Sequence, residues 1–178
     1  MRARQLSFLP KISTAHGGEL SIGKRKSTRP LDPKRPLHVV LRSTRARGEW
    51  SLLHGRNRTH VQRIIDETAT KHGVRIYRFV NVGNHLHLLV GARKRAAFQN
   101  FLREISGRIA ALVTGSRKAH PIGEKGERFW DHLVYTRIVS WGRELKAVKT
   151  YFIKNIFEAE GLLTRQGIES GLRVVRLE

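Results

Sequence analysis

No cysteine occurs among the 178 residues, so disulfides and thiolate metal sites are excluded. No apolar run is long enough to span a bilayer and nothing resembles a secretory signal, so the expectation is a cytoplasmic protein with no membrane partner. Acidic residues are scarce: 14 Asp and Glu stand against 35 Lys and Arg, a formal charge of +21. That imbalance exceeds what solubility requires and points to a polyanion. An anionic membrane surface would call for a concentrated basic amphipathic helix or a lipidation signal, whereas here the positive charge is spread along the chain. Nucleic acid is the first candidate, which would associate the protein with the nucleoid. With 39% hydrophobic residues the chain can bury one core, with little left for a second, and no solenoid-like repeat is visible.

Proline is also sparse, and its placement is informative. Four of the five prolines lie in the first 36 residues, together with nine Lys and Arg against Glu19 and Asp32, and with Gly17-Gly18. This composition predicts a flexible basic arm over 1–35, either a sequence-independent phosphate-binding tail or a solvated terminus. The folded domain is expected over 36–162, followed by a tail at 163–178 that ends in Arg173-Val174-Val175-Arg176-Leu177-Glu178.

Within the domain the apolar period changes repeatedly. Leu37–Arg42 reads as a first strand, and a helix follows from about His60 to His72, where Val61, Ile64, Ile65 and Thr68 recur at helical spacing before Gly73. Val74–Val80 alternates as a second strand, and Gly83-Asn84 turns the chain into a third, forming a hairpin. A second helix fits Arg95 to Val113, with Phe98, Phe101, Leu102, Ile105, Ile109 and Leu112 on its apolar face and Gly115 at its end. Phe129 to Val139 reads as a fourth strand region, and a third helix runs from Arg143 to Glu160. The order strand, helix, strand, strand, helix, strand predicts an α+β fold, an α/β sandwich. Its sheet is ferredoxin-like and antiparallel with helices on one face, and a C-terminal helix is appended.

The third strand carries Asn84-His85-Leu86-His87-Leu88-Leu89-Val90. Strand side chains alternate faces, so His85 and His87 share one face while Leu86 and Leu88 take the other. Two adjacent imidazoles form a ready pair of nitrogen ligands for a divalent metal, although buried or exposed histidines without such a role are the commoner outcome. The appended helix carries Tyr151 and Asn155, four apart and within about 40° on one helical face. Leu145, Val148, Phe152 and Ile156 form its buried stripe, which leaves Tyr151 and Asn155 along the border.

These residues carry a resemblance. From about Pro36 to Leu162 the chain resembles the HUH single-tyrosine transposases, the IS200/IS605-like group, and most closely the REP-associated tyrosine transposases. The matching motifs are the His85-Leu86-His87 strand, Phe129-Trp130 with Arg137-Ile138-Val139, and Tyr151-x-x-x-Asn155 with Gly161-Leu162. Relatives commonly have a proline after the asparagine, where this chain has Ile156. The resemblance implies that His85, His87 and Asn155 ligate Mg²⁺ or Mn²⁺ and that Tyr151 is the nucleophile. It further implies single-stranded DNA nicking and rejoining through a 5′-phosphotyrosine, on hairpin-forming DNA, by a monomer or a homodimer.

Basic side chains should supply the DNA path: Arg103, Arg108, Lys125, Arg128, Arg137 and Lys154 are the candidates. Phe129, Trp130 and Trp141 are candidates for stacking on unpaired bases, with core or edge packing the simpler role for each. Two other readings share the charge. One is a non-catalytic nucleic-acid-binding protein of ferredoxin-like fold, and the other is a domesticated transposase with a host role. An RNA-binding sheet would usually show aromatics on its exposed strand face, where this chain has His85 and His87.

Overall fold

The computed structural model describes residues 13–25, 27–116 and 128–159. Five strands form one antiparallel sheet: β1 (Ala15–His16), β2 (Leu37–Arg42), β3 (Arg75–Asn81), β4 (His85–Gly91) and β5 (Tyr135–Ile138), in the order β1-β5-β2-β4-β3. Three helices, α1 (Gly55–His72), α2 (Arg95–Thr114) and α3 (Arg143–Ala159), complete it. Without β1 the strand order is that of the expected ferredoxin-like sheet.

The pleat divides the molecule into two layers. Leu37, Val39 and Leu41 of β2 and Leu86, Leu88 and Val90 of β4 point to one face, where they meet Val61 and Ile65 of α1 and Phe98, Phe101 and Ile105 of α2. The alternate residues face the other way. There Val80 and Leu89 pack with Val139 and with Val148 and Phe152 of α3, a smaller second cluster. So α1 and α2 share one face, as expected, and the appended α3 covers part of the opposite one.

Element limits differ from the sequence reading where side chains replace periodicity as the determinant. α1 begins at Gly55, five residues before the expected start at His60, because the His54 side chain caps Arg56 N and the buried Asn57 amide donates to the carbonyls of Glu49 and Ser51. Of the 129–139 region only Tyr135–Ile138 is strand. Before it, Ser43 Oγ donates to Phe129 O, and Asp131 accepts from the backbone N and hydroxyl of Thr44, which holds a loop against the end of β2.

The described part of the basic arm is docked instead of running free. Ala15 and His16 pair with Arg137 and Thr136 at the sheet edge. Arg29 Nη1 donates to Val134 O and to the buried hydroxyl of Thr136. Gly17 makes this approach possible: it sits at φ +84°, and a Cβ there would lie 2.0 Å from Val134 O. The remainder of the arm, and the tail at 163–178, lie outside the described residues.

Candidate active site

Alternation along β4, an interior strand, sends His85, His87 and Leu89 to the α3 side of the sheet. His87 is 2% exposed. β2 adds a third ring: His38 lies opposite Leu89, hence diagonal to His87, and their rings stack with centroids 5.4 Å apart. His38 Nε2 and His87 Nδ1 are hydrogen-bonded at 3.2 Å. The sequence reading did not single out His38. Its phase on β2 was readable, but only the pairing of β2 with β4 reveals which face of the second histidine it meets.

Burial keeps all three rings neutral at neutral pH. Desolvation, with a contribution from Arg137, pushes His38 down to about 4. Desolvation and Arg42 bring His85 to about 4, while desolvation followed by the neighbouring His85 and His38 takes His87 to about 3. A hydrogen bond then specifies which nitrogen of His85 keeps its lone pair. His85 Nδ1 lies 2.6 Å from Asn84 Oδ1, an acceptor, so the proton sits on Nδ1 and Nε2 is bare. His87 Nε2 is buried and has no partner among the described residues. The tautomer in which His87 Nδ1–H donates to His38 leaves this orphaned nitrogen as a bare lone pair, a state that costs about 1–3 kcal/mol unless a ligand fills it.

The other half of the site comes from α3. Phe152, fully buried, wedges its ring against His38 and His87 at 5.3 and 5.6 Å, fixing the helix over the histidines. The preceding Tyr151 therefore stands at the rim, 45% exposed. Its ring lies 5.3 Å from that of His87 and 6.4 Å from that of His38, edge-on to both. Asn155 is 5% exposed and its Nδ2 donates to Tyr151 O at 2.7 Å, so Oδ1 is the atom of this amide that could serve as a ligand. His85, His87, Tyr151 and Asn155 all line one open cleft of about 700 Å³, with Arg42 and Arg137 on its walls. Among the described residues no three His, Asp or Glu side chains are placed to share an ion. His38 thus stands behind His87, and the groups that could hold a divalent metal are two neutral imidazoles and one amide oxygen.

The candidate DNA contacts disperse. Arg137 lines the cleft, paired with Glu144 at 2.9 Å. Arg108 is committed to Glu67 at 2.6 Å and to Thr68 on α1. Arg103 is exposed and lines a separate trough beside the docked N-terminal segment. Arg128 and Lys154 are exposed, and Lys125 lies outside the described residues. Of the aromatics, Phe129 is in the core and Trp130 donates to Ser106 O, while Trp141 is 58% exposed.

With this geometry in place, the comparisons are specific. The family described as "Transposase IS200 like" matches residues 35–155. No curated protein matches the chain. A solved structure of a Deinococcus radiodurans R1 protein described as a transposase is similar at 16% identity and a TM-score of 0.44, over 74% of this chain and 98% of that one.

Proposed function

Because the chain belongs to the IS200-like transposase family, we propose that it nicks and rejoins single-stranded DNA through a covalent 5′-phosphotyrosine on Tyr151. The observation that carries this reading is the placement of the Tyr151 ring 5.3 Å from His87, whose buried Nε2 lacks a partner among the described residues. His85, His87 and Asn155 Oδ1 would hold a divalent ion, Mg²⁺ or Mn²⁺, which when bound supplies polarisation of the scissile phosphate and neutralises charge on its oxygens.

The chain's own groups account for the remaining steps. Tyr151 Oη attacks phosphorus and its proton passes to water. The bond from phosphorus to the 3′ oxygen breaks, and that oxygen takes a proton to become a free 3′-hydroxyl. Exposure of Tyr151 at the rim lets a strand reach it, and Arg42 and Arg137 on the walls orient the phosphate. Since the phosphodiester energy is retained in the covalent link, attack by a 3′-hydroxyl on the phosphotyrosine reseals the strand without a nucleotide cofactor. The resemblance to the REP-associated group supports hairpin-forming DNA as the substrate.

The test is a denaturation-resistant protein–DNA adduct formed with an end-labelled hairpin library and Mn²⁺. Tyr151→Phe should bind DNA as the parent does while adduct formation falls by at least about 10³-fold, and a chelator should have the same effect. Undiminished adduct in the Phe variant would remove Tyr151 from this role. Tight binding with no adduct in the parent would favour a binding module.

A further inference from the structure

The docked N-terminal segment and α2 enclose a second depression, a trough of about 1160 Å³, that the chemistry above does not use. Its lining includes Lys24, Arg25, Arg29 and Arg103 and not one acidic side chain. Lys24, Arg25 and Arg103 are exposed, and among the described residues no carboxylate pairs with any of them. Arg29 is held by a carbonyl and a hydroxyl, so its charge is not neutralised by a carboxylate either. This differs from the α1–α2 surface, where Glu67 and Glu104 absorb the charge of Arg63, Lys71 and Arg108.

The trough also adjoins the active-site cleft. Leu20 and Leu133 line both, and they are 50% and 61% exposed, an apolar ridge between the two depressions. Unpaired bases offer apolar faces to such a ridge while their phosphates follow the cations. The ridge and the cationic wall both depend on the N-terminal segment, which contributes Leu20, Lys24, Arg25 and Arg29.

We propose that this trough binds the sugar–phosphate backbone of the single strand flanking the scissile phosphate, so that the N-terminal segment forms half of an extended DNA-binding channel. The proposal rests on the cleft being a single-strand site and names where the strand goes on leaving it. The test uses full-length protein and a thymidine homopolymer of about 20 nucleotides, titrated across salt, because the phosphate contribution is independent of sequence and of cleavage.

The double variant Arg25→Glu/Arg103→Glu should bind roughly ten-fold more weakly, with the slope of log affinity against log salt shallower by about 1.4, two contacts at about 0.7 each. The control Arg75→Glu/Arg78→Glu makes the same charge change on β3, at the opposite sheet edge, and should stay within about two-fold. Equal losses from both pairs, or no loss from the trough pair, would overturn the proposal. Adduct formation is scored separately on the hairpin library. An absent adduct with a specific trough effect counts against the phosphotyrosine reading alone, and a normal adduct with no trough effect counts against the trough alone.

Discussion

At the residue scale the proposed chemistry leans, after Tyr151, most on His87, because its two nitrogens have different surroundings. Nδ1 is tied to His38 and Nε2 is left without a partner among the described residues. In the proposed mechanism His38 is a positioning residue, which would act on the metal only through the ring it orients. Its loss should therefore be read in metal affinity. His38→Ala should raise the Mn²⁺ concentration for half-maximal adduct formation by about 10- to 100-fold with the plateau largely retained, and His38→Gln, which keeps an acceptor, should recover part of it. An unchanged metal titration would show that His38 only fills space. Neutrality of the three rings has its own consequence in the metal-free protein. Their folded values of about 3 to 4 lie below the ordinary 6.5, so the unfolded chain binds more protons in between. Stability contributed by keeping them neutral is complete above about pH 6.5 and is lost as pH falls toward 4. Thermal melts from pH 7.5 to 5 should show a falling midpoint, less steep in His38→Gln; identical slopes would mean that His38 is hydrated.

At the element scale α3 is the part on which the site depends. It meets the sheet through a small cluster, Val80, Leu89, Val139, Val148 and Phe152, separate from the main core. Phe152→Ala should destabilise by about 3–5 kcal/mol, as loss of a buried ring does, and should lower the adduct rate further at temperatures where the protein is still folded. If the rate per folded molecule were unchanged, Phe152 would not be what holds Tyr151 over the histidines. The sequence was legible here to an uneven degree. The stripe Leu145, Val148, Phe152, Ile156 follows from helical period, and the observed packing is that stripe. The start of α1 was not legible, since a histidine cap and a buried asparagine do not appear in any apolar periodicity. The docking of Ala15–His16 was not legible either, because a two-residue strand has no pattern of its own and depends on Gly17 closing onto Val134.

At the scale of the whole molecule, one chain brings α3 and β4 together, so Tyr151 and His87 meet without a second copy. Mixing Tyr151→Phe with His87→Ala should then restore no adduct; recovery toward about a quarter of the parental level would indicate that α3 is exchanged between protomers. Composition alone pointed to a polyanionic partner, because net charge acts at long range and needs no fold to be counted. Period and turn residues alone determined the ferredoxin-like order and the facing of His85 and His87, because both are properties of short stretches of backbone. The tertiary structure alone decided that His38 joins them, that Arg108 is committed to Glu67 while Arg103 is not, and that part of the basic arm becomes a wall of the molecule. Each of these is a contact between residues far apart in the chain, and such contacts are set by strand register and packing, which no local pattern encodes.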